Sequence, residues 1–171
     1  LDMVKHYSNV ADRVVILVSP KEKDGITPDV SERIFQMYVK DAGLDNVNIQ
    51  VSEYNSPVQA AIEYGNNPEM MGSQIILGAS TKGGDAAQRF GRNMQKYVED
   101  AEILNPLDYA FDPIGEVLSA TDFRAALKNN EDIGRFLPES SKDKTEIVAA
   151  MVKEKLQEGT QHFLGIFRSL V

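Results

Sequence analysis

The segment EVLSATDFRAALKNN, residues 116–130, places two hydroxyls and an arginine where a predicted strand passes into a predicted helix. Ser119 can cap that helix, because its side-chain oxygen can accept a backbone N–H of the first turn. Thr121 lies in the same turn and Arg124 one turn later, so hydroxyls, guanidinium and helix-start amides can face one anion. Such donors suit a triphosphate. Ordinary capping is the alternative, since serine and threonine cap helices generally and arginine forms helices well.

A second candidate is the glycine-rich segment LGASTKGGDAAQRFG, residues 77–91. Gly78 ends a predicted strand, where the missing side chain lets a ligand approach the backbone. Lys82 supplies a cation close by in the sequence. The segment is not a P-loop, because the spacing G-x-x-x-x-G-K-S/T is absent. The alternative here is a loop with solvated charges.

Composition argues against several other kinds of site. The 171 residues include no cysteine, which excludes disulfides and thiolate metal ligands. The two histidines, His6 and His162, are far apart, and no carboxylate cluster suggests a zinc site. No serine or threonine has an evident histidine partner or sits in a G-x-S-x-G elbow. The net charge of −8 argues against a nucleic-acid partner, although a few local donors can still hold a free nucleotide.

The elements that would position these residues alternate between strands and helices. The predicted strands are residues 14–18, 47–51, 73–80 and 100–106; the predicted helices are residues 1–11, 28–42 after the cap Thr27, 57–65 after the cap Ser56, 120–129 and 142–158. KEKDGI, residues 21–26, is predicted to be a polar loop. This alternation predicts a parallel, doubly wound sheet, whose ligands would bind at the carboxyl ends of its strands.

In order along the chain, these pieces resemble the cytidylyltransferase-like nucleotidyltransferases. LSATDFR, residues 118–124, is similar to the family's ISSTxxR signature, with Ser119, Thr121 and Arg124 at the positions of the first serine, the threonine and the arginine. Ala120 departs from the second serine of the signature. The longer stretch SATDFRAALKNNEDIGRFLP resembles phage-encoded members. The resemblance covers residues 1–138.

The resemblance implies an α/β fold with a Rossmann-like parallel sheet. It also implies transfer of a nucleoside monophosphate from a nucleoside triphosphate, ATP or CTP, to a small phosphate-bearing acceptor, with release of pyrophosphate. Ser119, Thr121 and Arg124 would hold the triphosphate. ILGASTKGGD takes the place of the family's glycine loop, which adds Gly78 and Lys82 as nucleotide-binding residues.

The implied reaction sets the expected cofactor and surroundings. Attack at the α-phosphate requires charge stabilisation more than a covalent nucleophile, so we expect Mg²⁺ held mainly by phosphate oxygens. We expect no membrane partner, since no run of the sequence approaches the roughly 20 apolar residues of a membrane span. The expected location is the cytoplasm, of a cell or of an infected host.

The family's other signature, His-x-Gly-His, is absent from the sequence. In the family it follows a central first strand and opens the helix that LDMVKHY, residues 1–7, resembles. Without that strand, edges would be exposed between the strand predicted at 14–18 and residues 75–77 of the strand predicted at 73–80. We expect the sequence to be a fragment of a longer protein. The alternatives are a processed product that keeps its N-terminal piece, or a central position filled by FLGIF, residues 163–167, or by a partner.

Two domains are predicted: an incomplete nucleotidyltransferase-like α/β domain, residues 1–138, and a helical C-terminal extension, residues 139–171. The amphipathic extension can pack on its own domain, or it can form a homo-oligomer or contact an assembly partner. The absent histidine motif and the extension motivate a second hypothesis. In it, the chain is a non-catalytic interaction or structural module of nucleotidyltransferase-like fold, for example in a phage assembly.

Overall fold

A computed structural model of the chain describes residues 1–81, 94–113 and 118–152. The chain divides into two compact units, each built from two stretches of sequence. The first unit comprises Leu1–Pro20 and Leu44–Val117, and the second comprises Lys21–Gly43 and Leu118–Val171. The predicted domain boundary at residue 138 falls inside the second unit.

Within each predicted range, the described residues contain an element of the predicted kind, but the strands predicted at 73–80 and 100–106 are only two residues long. In chain order they are α1 (Asp2–Ser8), β1 (Val14–Val18), α2 (Pro28–Asp41), β2 (Val47–Val51), α3 (Pro57–Gly65), β3 (Gln74–Ile75), β4 (Glu102–Ile103), α4 (Ala120–Lys128) and α5 (residues 145–152). Short 3₁₀ turns include Met94–Tyr97, Gly134–Phe136 and Glu139–Lys144. In this part of the chain, no helix has the length and apolar character needed to cross a bilayer.

Proline and hydroxyl residues set the starts of α2 and α3. Thr27 is the N-cap of α2, with Pro28 in the first turn, as predicted. The Thr27 hydroxyl does not bond a backbone amide but donates to Asp29 Oδ1 at 2.5 Å. Ser56 caps α3 by accepting the N–H of Gln59 at 3.3 Å. The predicted cap positions are therefore confirmed, with a different bond at Thr27.

The strands pair in parallel, which confirms the α/β class in its coarse form. β1 pairs with β2 over five residues, from Val14 opposite Val47 to Val18 opposite Val51. β3 pairs with β4 over two residues, and a parallel bridge joins Ser80 to Phe111 further along. These pairs are two separate sheets, so the predicted single sheet is not formed by the described residues. β1 and β3 are the strands predicted to flank a missing central strand, and they lie in different sheets.

Each unit has its own hydrophobic cluster. In the first unit Leu77, Ala79 and Met94 are buried against side chains of α3 and of the β3–β4 pair. The cluster of the second unit is larger and contains Val30, Ile34, Ala126, Ile133, Leu137, Val148 and Val152. On α5 the buried pair is Val148 and Val152, four residues apart, whereas Ile147 is 49% exposed. The buried stripe of α5 therefore contains Val148 and Val152 and leaves out Ile147.

Candidate functional site

The first turn of α4 begins with a reciprocal bond between Ser119 and Asp122. Ser119 has an extended backbone, and its Oγ accepts the N–H of Asp122 at 3.0 Å. The same hydroxyl donates to Asp122 Oδ2 at 2.7 Å. Ser119 thus satisfies one of the amides that a helix start leaves without an intrahelical partner. The capping role is confirmed, and a ligand would compete with Asp122 for the hydroxyl proton.

Arg124 is the cation of this site, and it lies beside Thr121. Its Nη2 donates to Thr121 Oγ1 at 3.3 Å, across one helical turn. Its Nε donates to the carboxylate of Asp24 at 2.6 Å, a residue 100 positions earlier in the sequence. The Arg124 side chain is 21% exposed, and that of Asp24 is 65% exposed. Ser119, Thr121 and Arg124 therefore share the start of one helix, and Asp24 joins them from a distant segment of the same unit.

A tight turn places Asp24. Lys23 and Ile26 exchange two backbone hydrogen bonds of 3.0 Å, with Asp24 and Gly25 between them. The φ angles of these two central residues are +53° and +82°, as in the two-residue turns of β-hairpins. Aspartate and glycine tolerate positive φ better than most residues. The prediction of a plain polar loop missed this carboxylate, although the pair Asp-Gly is a recognised signal for such a turn.

An apolar groove of about 270 Å³ opens beside Arg124. Its lining comes from α2, from the start of α4 and from two other residues of the same unit, namely Ser31, Ile34, Phe35, Tyr38, Leu118, Ser119, Ala120, Phe123, Arg124, Ile26 and Phe136. The aromatic rings lie in edge-on pairs, Phe35 with Tyr38 and Phe123 with Phe136. Burial raises the pKa of Tyr38 to about 12, so its phenol is neutral near pH 7 and can donate a hydrogen bond.

Gly78 belongs to the first unit, where it has a packing role. A side-chain carbon at this position would lie 3.3 Å from the Tyr7 ring. The Tyr7 hydroxyl donates to the carbonyl of Ala79 and accepts the N–H of Ala79, both at 3.0 Å. The ring is therefore held against the backbone at Gly78. Lys82, the other predicted residue of this loop, lies outside the described residues.

The residues around Arg124 offer donors for an anion but few ligands for a cation. Across residues 1–81, 94–113 and 118–152, no group of three or more acidic or histidine side chains is placed to hold a metal ion. Asp24 and Asp122, the carboxylates that contact the site, are engaged by Arg124 and Ser119. The arrangement can thus hold an anion next to an apolar or aromatic group. No protein-family model, curated protein or solved structure matches this chain.

Proposed function

We propose that the chain is a nucleotidyltransferase that binds a nucleoside triphosphate at Arg124. It would transfer the nucleoside monophosphate to a small phosphate-bearing acceptor and release pyrophosphate. The observation that carries the proposal is a partly exposed guanidinium beside the Thr121 hydroxyl and a helix start, at the edge of an aromatic groove. A Rossmann-like arrangement of the strands and a cytoplasmic location belong to the same proposal.

The hydrogen-bonding capacity of Arg124 supports phosphate binding. A guanidinium carries five N–H donors in a planar fork. The bonds to Asp24 and Thr121 use two of them among the described residues. Phosphate oxygens match the geometry of the remaining fork and form charge-assisted bonds with it. The amides at the start of α4 add a favourable dipole, because α4 is a regular helix of nine residues.

The groove beside Arg124 supports a nucleotide rather than a bare phosphate. Flat aromatic bases gain dispersion and stacking energy against rings such as Phe35, Tyr38 and Phe123. The Tyr38 hydroxyl keeps its proton near neutral pH and can donate to a base nitrogen or carbonyl. A base in the groove would keep its phosphates within reach of Arg124, because Arg124 lines the same cavity as the aromatic rings.

The same residues fit an Mg²⁺–nucleotide in which the phosphates supply most of the ligands. Mg²⁺ bound with nucleotide takes one or two protein carboxylates and fills its other positions with phosphate oxygens and water. Asp122, whose carboxylate accepts the Ser119 hydroxyl at the start of α4, is the residue that could supply such a ligand. When bound, the ion would neutralise phosphate charge, and Arg124 would orient the phosphate chain.

Binding of ATP and CTP, with Mg²⁺, tests the proposal by isothermal titration calorimetry. We expect Arg124→Ala to raise the dissociation constant at least about tenfold, because it removes charge-assisted bonds worth about 1.5–3 kcal/mol each. Lys128→Ala is the matched control, since Lys128 is an exposed cation in the last turn of the same helix. Its effect should stay under about twofold. Silent titrations with both nucleotides, or equal losses in both variants, would refute nucleotide binding at Arg124. Pyrophosphate release with phosphate-bearing acceptors then tests transfer itself.

A non-catalytic interaction module is the second candidate, and exposed apolar side chains among the described residues are the contact points that it would use. Met71 is 68% exposed, Leu107 is 56% exposed and Ile147 is 49% exposed. Large apolar side chains of this kind serve as contact points when they come together in an interface. An assembly role, as in a phage particle, would be supported by silent nucleotide titrations together with self-association in light scattering.

A further inference from the structure

We propose that Asp24 is an internal anion that competes with external polyphosphate for the Arg124 guanidinium. In this arrangement the Asp24 carboxylate occupies the Nε donor of Arg124, and a polyphosphate that uses this donor as well must replace it. The inference rests on the proposed function, because it assigns a regulator to the anion site described there. The inference adds Asp24 to the site, a residue that lies outside the sequence pattern around Ser119.

The placement of Asp24 is specific. Its carboxylate meets the Nε of Arg124 at 2.6 Å, although the two residues are 100 positions apart. The turn that carries Asp24 is fixed by two backbone bonds between Lys23 and Ile26. Because both central residues adopt positive φ, the backbone holds the carboxylate at the tip of this turn. The turn Lys23–Ile26 therefore positions the Asp24 carboxylate opposite Arg124.

The exposure of the pair makes replacement feasible. Asp24 is 65% exposed, so its carboxylate can turn into water through side-chain rotation alone. Arg124 is 21% exposed and stays anchored by the bond to Thr121. Ion pairs with one partner this exposed are weak, so the energy lost on opening is small. A polyphosphate that makes several bonds at once can displace a single carboxylate. Polyphosphate can therefore still bind when Asp24 competes with it.

Competition predicts a definite pattern of affinities. If Asp24 occupies the guanidinium, every ligand that needs Arg124 binds more weakly by the same factor. Removing the Asp24 charge should then strengthen binding when Arg124 is present and have little effect when Arg124 is absent. A general charge effect differs from this, because it would persist without Arg124.

The experiment measures binding of sodium tripolyphosphate by calorimetry at low ionic strength. Asp24→Asn keeps the turn, because asparagine tolerates positive φ, and Asp24→Gly keeps it by a second route. Glu22→Gln is the matched control, since it removes an exposed acidic charge from the same segment. The same Asp24 substitutions are also made in Arg124→Ala. Thermal unfolding of each variant verifies that the fold is retained.

We expect Asp24→Asn and Asp24→Gly to tighten tripolyphosphate binding by about threefold to fivefold. Glu22→Gln should change it by less than about twofold. The gain should vanish in Arg124→Ala. Unchanged or weakened binding in both Asp24 variants would overturn the inference, as would an equal gain without Arg124.

The two proposals fail in different ways. Absence of tripolyphosphate binding in the wild type and in every Asp24 variant would overturn the internal-anion inference, because nothing would then compete for Arg124. The nucleotidyltransferase proposal would still be decided by ATP, CTP and pyrophosphate release. Conversely, nucleotide binding that depends on Arg124 but ignores Asp24 would leave the function standing and remove the competitor.

Discussion

Gly78 is a residue whose packing role and whose predicted ligand-binding role can be measured separately. Its missing side chain leaves room for the Tyr7 ring, which two hydrogen bonds to Ala79 hold in place. We expect Gly78→Ala to lower the free energy of unfolding by about 1–3 kcal/mol, the usual range for overpacking a fixed neighbour. Urea denaturation gives the value.

The control for this substitution is Gly78→Ala in a Tyr7→Phe background, where the ring has lost its bonds to Ala79. The added methyl should be less destabilising there, because the ring can shift. If Gly78→Ala instead weakens nucleotide binding and leaves stability unchanged, Gly78 acts through a ligand, as its place in the loop LGASTKGG suggested from sequence.

The residues around Arg124 show which contacts a sequence can reveal. Ser119 and Asp122 are three positions apart, so their reciprocal bond follows from helix geometry and the capping position was predictable. Thr121 and Arg124 are related in the same way. Asp24 contacts Arg124 across 100 positions, and no local periodicity connects them. The start of the helix could thus be predicted from sequence, whereas the carboxylate of Asp24, which pairs with Arg124, could not.

At the scale of elements, an ion pair joins the end of α2 to the 3₁₀ turn Glu139–Lys144. Asp41 accepts hydrogen bonds from the Lys144 ammonium and from the Ser141 hydroxyl, which is 2.8 Å away. Ser141 is fully buried. The Lys144 ammonium, and next the Ser141 hydroxyl, hold the pKa of Asp41 below its ordinary value. Asp41 therefore links two elements whose apolar residues form the larger cluster.

The lowered pKa of Asp41 gives a pH dependence of stability with a definite sign. The folded state holds the ionised form more strongly than the unfolded chain, whose aspartates titrate near about pH 3.9. The stabilisation is therefore complete above that pH and is lost as pH falls through the lower folded-state pKa. We expect the difference in unfolding free energy between wild type and Asp41→Asn to be largest above about pH 5 and to shrink below about pH 4.

Denaturation midpoints measured from about pH 3 to 7 would show this trend. Asp45→Asn, an exposed aspartate in the segment after α2, is the control and should give a small difference at every pH. An Asp41→Asn difference that stays constant down to the lowest pH would contradict the role of the ionised carboxylate.

The helix α5 shows why one element could be predicted only in part. Its helical character followed from apolar residues spaced three and four apart, and the structure has it over residues 145–152. Which stripe is buried depends on its neighbours, because Val148 and Val152 meet the cluster of Val30 and Ile133. Ile147 is apolar by type, yet its direction on the helix leaves it 49% exposed. Periodicity gives the element, and tertiary packing selects the face.

On the scale of the whole molecule, the order of residues along the chain does not match the division into units. α2 lies between β1 and β2 in sequence, but its residues Val30 and Ile34 join a cluster with residues 126–152. The strands on either side of α2 pair with each other in the first unit. A reading along the chain treats β1, α2 and β2 as one crossover, so it could predict the parallel pairing but not the separate core.

The separate hydrophobic clusters of the two units predict that each unit can lose stability without the other. Val30 is fully buried, and Val30→Ala should destabilise its own cluster by about 1–3 kcal/mol. We expect amide hydrogen exchange to become faster in α2, α4 and α5 together, since these helices share the cluster, and to change little in β1 and β2.

Met94→Ala, in the cluster of the first unit, is the reciprocal variant and should accelerate exchange around α3, β3 and β4. Peptide-level mass spectrometry resolves these segments. Uniform acceleration along the chain in both variants would mean that the clusters unfold as one cooperative core, since separate cores would transmit the loss only to the segments that contact them.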